Sequence, residues 1–175
     1  MSRRSVIVRL LISLVVMAAL SAGCAGAPDL TERDEAMLSA RAVAEICAVK
    51  CDGLTIYVVG GHVFGSVDEV VGDEPAMSAE MMSAIDGQLS QEVLFIDRLQ
   101  VNALVIGGVL VDRNAIIVFV GPVTWLSSEV VGVAIGSHIA DDGAWGGIQQ
   151  FRWTGQAWEP ADPEDIGITV TTSVS

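Results

Sequence analysis

Apolar residues recur at helical spacing in the first part of the chain and at strand spacing in the rest, with the change near Gln91. Leu38, Ala42, Ile46 and Val49 form one stripe with Arg33, Arg41 and Glu45 off it, which predicts an amphipathic helix over 31–50. Thr31 is its expected N-cap, and Glu32, Asp34 and Glu35 place negative charge in the first turn, where the helix dipole favours it. Asp52-Gly53 ends the helix. Leu54 to Val59 is β-branched and aromatic enough for a strand, and Gly60-Gly61 ahead of His62-Val63-Phe64 signals a two-residue hairpin. After an acidic loop over 65–75, Ser78 caps a short second helix in which Met81, Ile85 and Leu89 share one side.

Strands are predicted over 93–96, 103–112, 115–120, 130–138 and 147–154, with the alternation of Ile168, Val170, Thr172 and Val174 as a candidate for one more. Asp112-Arg113-Asn114, Gly121-Pro122, Asp141-Asp142-Gly143 and Thr154-Gly155 supply turns between them. Such short connections imply an antiparallel meander, because parallel strands need long crossovers. The expected fold class is α+β, with the N-terminal helix and a short second helix packed on a curved antiparallel β-meander. The element order resembles that of cystatin-like and cone-shaped folds, a likeness that carries no function with it.

The pattern ahead of the first helix is different. Arg3, Arg4 and Arg9 make a positive start, Leu10 to Ala22 is apolar apart from Ser13 and Ser21, and Ser21-Ala22-Gly23 leads directly into Cys24. This is the layout of a secretory leader, and its apolar core is shorter than the ~20 residues that span a bilayer. Leu20-Ser21-Ala22-Gly23-Cys24 resembles the lipobox of bacterial lipoproteins, with Ser21 standing where that motif usually carries Leu, Val or Ile. The resemblance implies that 1–23 is removed as a signal peptide and that Cys24 carries acyl chains, palmitate among them. Two other readings of the same residues are an ordinary secretory signal cut nearby with Cys24 free, and an uncleaved helix ending in a chance cysteine. On the lipobox reading 24–30 is a lipidated cysteine and short tether, reaching on the order of 20 Å when extended. Residues 31–175 then make a single acidic domain, lipid-anchored to the cell membrane and facing outside the cytoplasm.

Charge sharpens this picture. All 22 acidic residues lie beyond the leader, but only six of the nine basic ones do, so the mature chain would carry −16 against −13 for the whole sequence. A surface so acidic repels phosphate backbones and anionic headgroups, which argues against nucleic acid as a partner and leaves bilayer contact to the Cys24 acyl chains. The acids form no D-x-[DN]-x-[DN]-G loop, so no calcium or other metal site is expected.

Candidate chemistry is sparse. In an exported chain Cys47 and Cys51 are disulfide candidates, since the end of a helix at Gly53 can relax to accommodate the bridge. Their spacing is not C-x-x-C, and with His62 they lack a fourth zinc ligand. His62 and His138 are the only histidines; Ser137-His138, with Ser127, Ser128, Asp141 and Asp142 near in sequence, offers triad residue types but no elbow, P-loop or H-E-x-x-H motif. No catalytic residue and no cofactor is assigned. All four tryptophans fall in the last third: Trp153 and Trp158 read as structural, whereas Trp125 and Trp145, placed in loops, join His138 as a possible binding surface. The leading expectation is a non-catalytic lipoprotein that binds an envelope partner or ligand. The alternatives are an envelope hydrolase with a His-centred site and a structural subunit of an envelope complex.

Overall fold

The computed structural model describes residues 27–60, 77–139 and 143–161. Helix α1 (Glu32–Lys50) begins as its sequence dictates: the Thr31 hydroxyl accepts from the Asp34 amide while the Asp34 carboxylate accepts from the Thr31 amide, at 3.0 Å, and hydroxyl. Leu38, Ala42 and Val43 are buried, with Ile46 packed against the same core. Val49, the expected last member of that stripe, is instead 82% exposed. Cys47 and Cys51 take the core-facing side of the last turn, and a residue midway between them must point outwards. Strand β1 (Thr55–Gly60) follows after a turn through Gly53, whose φ of 72° suits glycine. Helix α2 (Ala79–Gln88), capped by the Ser78 hydroxyl, buries Ile85 and packs alongside α1.

Strand β2 (Val93–Phe95) leads into a third helix, α3 (Arg98–Leu104), where the apolar pattern had predicted a strand starting at residue 103. Asp97 and Gln100 form a reciprocal capping box that starts the helix, and a short hairpin, β3 (Val105–Ile106) and β4 (Val109–Leu110), takes the rest of the run. Gly107 and Gly108 turn it with φ of 59° and 76°, as a two-residue loop with a backbone twisted to match its strands requires. Then come β5 (Ala115–Trp125), β6 (Val130–Ile139), β7 (Gly143–Trp153) and β8 (Trp158–Pro160).

The fold class is α+β. The main sheet runs β2-β1-β5-β6-β7-β8, with β5 to β8 the antiparallel meander and β1 parallel to both β2 and β5. The hairpin expected after Gly60 involves residues 62–64, which lie outside the described residues, as do the acidic loop and the last candidate strand. Gly121-Pro122 is a bulge rather than a turn: the register against β6 shifts between Val120 and Val123 and β5 continues to Trp125. A proline cannot donate to the ladder, so the strand passes over it with a local irregularity.

The sheet carries two covers. Ile56, Val58, Ile116, Val118, Val120, Ile135 and Phe151 face α1 and α2, while Val59, Ala115, Ile117 and Phe119 face α3 and the β3–β4 hairpin. The α1 and α2 layer is the one the apolar pattern anticipated; the second layer was hidden in the run from Leu99 to Val111, whose helical and strand halves are both apolar.

Two glycines separate space from strain. A Cβ on Gly136 in β6 would lie 2.9 Å from the Trp145 carbonyl oxygen and 3.6 Å from Gly146 Cα, whereas one on Gly87 in α2 meets nothing within 4 Å. Gly136→Ala is expected to destabilise by about 1–3 kcal/mol, and Gly87→Ala to stabilise by up to about 1 kcal/mol, as read from urea unfolding midpoints.

Candidate functional site

The sequence-nominated residues divide among three places. At the end of the sheet where β5 stops, Trp125 stands against Trp158 with ring centroids 5.6 Å apart, and Trp153 packs on Trp158 at 5.4 Å. Trp158 is buried, Trp153 is half-buried, and Trp125 remains 44% exposed. Strand pairing accounts for part of the assembly: Trp153 of β7 pairs directly with Trp158 of β8, whereas Trp125, opposite Val131 at the end of β5, reaches Trp158 across the two intervening strands. Arg41 of α1 ties this ledge to the helix layer, donating from Nη1 to the Trp158 carbonyl and lying 5.5 Å above the Phe151 ring. The Trp158 indole N–H has no hydrogen-bond partner among the described residues. Trp125 was expected in a loop; the bulge at Gly121-Pro122 carries the strand far enough to include it.

Trp145 lies at the other end of the sheet, in β7 rather than in a loop. Its ring sits 5.4 Å from Lys50 Nζ, at the end of α1 where Cys47 and Cys51 are joined by a disulfide with Cα atoms 4.5 Å apart. A cation over an indole face is worth roughly 0.5–1 kcal/mol when exposed. Together with the bridge it holds the helix end over the first residues of β7.

His138 occupies the opposite face. Its neighbour Ser137 pairs with Trp145, so the alternation of β6 puts His138 beside Ile117 on the side covered by the β3–β4 hairpin. The imidazole is 2% exposed and neither ring nitrogen makes a well-formed hydrogen bond among the described residues. Burial pushes its pKa below the usual histidine range, and the Gly108 backbone nearby offsets this only in part. Ser137 and His138 point to opposite faces, so adjacency in sequence does not make them a nucleophile and base. Trp125, Trp145 and His138 therefore share no single surface: the tryptophans stand at opposite ends of the helix-covered face and the histidine lies under the other cover.

Cys24, His62, Asp141 and Asp142 lie outside the described residues. Among the described residues no three His, Cys, Asp or Glu side chains gather as a metal would require, and no helix is long and apolar enough to cross a membrane. No family model, curated protein or solved structure matches this chain. Leu99, Ile106, Val109 and Val111 of α3 and the hairpin are exposed apolar residues that sequence reasoning missed, because it read 103–112 as a single strand of the meander and assigned Leu99 to no element. The signal that could have found them is Asp97 with Gln100 three places on, a helix start just ahead of the predicted strand.

The buried neutral imidazole has a consequence for stability. A histidine whose pKa is lower folded than unfolded leaves the unfolded chain holding more protons at intermediate pH. Stability should be full above about pH 6.5, the unfolded value, and fall as pH drops from there through the folded value. His138→Phe should flatten that part of the profile, as measured by thermal unfolding between pH 7.5 and 5.

Proposed function

We propose that this protein is a lipid-anchored binding protein of the cell envelope, held outside the cytoplasmic membrane by acyl chains on Cys24 and acting through contact rather than catalysis. The observation that carries the reading is the run Leu20-Ser21-Ala22-Gly23-Cys24 at the end of an arginine-led apolar leader, seven residues before the Thr31 helix cap. Ala27 and Leu30 pack against the core, so the linker free to act as a tether is shorter than the sequence alone implied. Two residues, 25 and 26, separate the lipidated cysteine from the folded body, a reach on the order of 10 Å. Two or more acyl chains suffice for stable anchoring, and the acidic domain adds no electrostatic attraction to anionic lipid.

A contact role is supported by the tryptophan ledge. Trp125 offers a rigid aromatic surface backed by Trp158 and Trp153, the kind of pre-organised anchor on which recognition surfaces are built. The partner on this reading is an envelope protein or ligand that stacks on the exposed indole. His138 supports no hydrolase reading as placed, because the hairpin shuts it from solvent.

The test is Cys24→Ala in the full chain, followed by labelling with an acyl-chain precursor and membrane fractionation. The native chain should take up label and sediment with membranes, and the variant should do neither. Equal labelling and equal membrane retention in the variant would overturn the anchor.

A further inference from the structure

The tryptophan ledge stands at the end of the domain from which the chain leaves for Cys24. Lys50, the last residue of α1, lies over Trp145 near the start of β7, and Arg41 lies over Phe151 near its finish. Helix α1 therefore runs back along β7, and its N-terminus lies past the level of Phe151. Trp125 is at that level too, since it pairs with Val131 and Val131 pairs with Phe151. Ahead of the Thr31 cap, Leu30 and Ala27 stay packed against the core. Residues 25 and 26 are all that then separate this end from Cys24.

The exposed side chains here suit a lipid interface. Trp125 is 44% exposed, and Met37, one turn before Arg41 on the same side of α1, is 46% exposed. An indole carries an apolar body and a polar N–H, and tryptophan is enriched at the headgroup level for that reason. Trp158 and Trp153 already hold Trp125 in place, so little side-chain freedom is left to lose on contact. The acids of this end, Asp29, Glu32, Asp34 and Glu35, oppose approach to anionic headgroups. An uncharged ring and a thioether need no electrostatic attraction, and zwitterionic lipid carries no net charge to repel the acids beside them.

Tether length decides what occupies the ledge. A single indole binds a membrane weakly from solution, but a linker of two residues makes the encounter intramolecular and raises the effective concentration of lipid. With acyl chains on Cys24, the bilayer lies on the order of 10 Å from Ala27. No other envelope component is held so close by the chain itself. The consequence is orientation: acyl chains alone leave the domain free to swing about the linker, whereas a second contact turns the end with Trp145 and the disulfide away from the membrane.

We infer that the tryptophan ledge seats in the headgroup layer of the bilayer that holds Cys24, so that the ligand of the exposed indole is phospholipid, a reading that rests on the anchor proposed above. Its test places a photo-crosslinking amino acid in the full chain in place of Trp125 and, as a control, in place of Val49. Val49 is 82% exposed at the other end of α1, about 27 Å from Thr31 by helix rise. Irradiated membranes of the producing cells should give adducts of phospholipid mass from position 125 at a yield at least about tenfold above that from position 49, which lies beyond the headgroup layer. The unsubstituted chain gives a second measurement. Reconstituted through its anchor in vesicles of phosphatidylcholine with brominated acyl chains, it should lose tryptophan emission relative to unbrominated vesicles, and Trp125→Phe should remove most of that loss. Adducts only to other proteins, equal lipid adducts at both positions, or unquenched emission would overturn the inference. The two failures are distinguishable: a wrong anchor, which sinks both readings, shows as chain without acyl mass in the soluble fraction, and a wrong ledge alone as acylated, membrane-bound chain whose position 125 meets no lipid.

Discussion

Burial of β5 on both faces is the constraint from which the rest of the architecture follows. Ala115 to Gly121 are all buried, so successive residues need apolar partners on opposite sides of the sheet. One layer cannot satisfy that. The chain places α1 and α2 against Ile116, Val118 and Val120, and then spends the segment between β2 and β5 on a second cover for Ala115, Ile117 and Phe119. The segment is short, and its compromise is visible: Val101 and Leu110 turn inward, while Leu99, Ile106, Val109 and Val111 have no interior left to enter.

The same geometry sorts the polar residues. Alternation along β6 sends Ser137 to the helix face and His138 under the hairpin, and pairing across to β7 sets Trp145 beside Ser137. The bulge at Gly121-Pro122 carries β5 on to Trp125, which meets Trp158 and Trp153 at the far end. Arg41 and Lys50 are both used by α1 to hold aromatic residues of the sheet, one at each end, so basic side chains that are scarce in this acidic chain serve the joint between its layers.

Local signals were legible where the physics is local. Thr31 and Ser78 announced their helices because a hydroxyl that accepts a backbone N–H has few equivalent roles, and the strands from Ala115 onwards were visible from alternation and β-branching. Burial on both sides of β5 removed the contrast between apolar and polar faces, and the covering segment from Leu99 to Val111 was as apolar as the strand it covers, so periodicity could not divide it into helix and hairpin. Parallel pairing of β1 with β5 left no mark in either strand, since partner choice is a property of the whole chain. For the candidate site, the tryptophans could be counted but not placed: whether two of them meet depends on register, which no single residue encodes.

That parallel pairing also bears on how the chain acquires its structure. Thr55 pairs with Ala115, sixty positions later, whereas β5, β6 and β7 join through short connections. A chain that emerges from its N-terminus first presents α1 and β1 long before their sheet partner exists, and closing so wide a loop is slow relative to hairpin formation. The meander is positioned to form first and to serve as the template on which the earlier half settles, leaving Ile56 and Val58 dependent until then on whatever shields newly emerged apolar segments from one another.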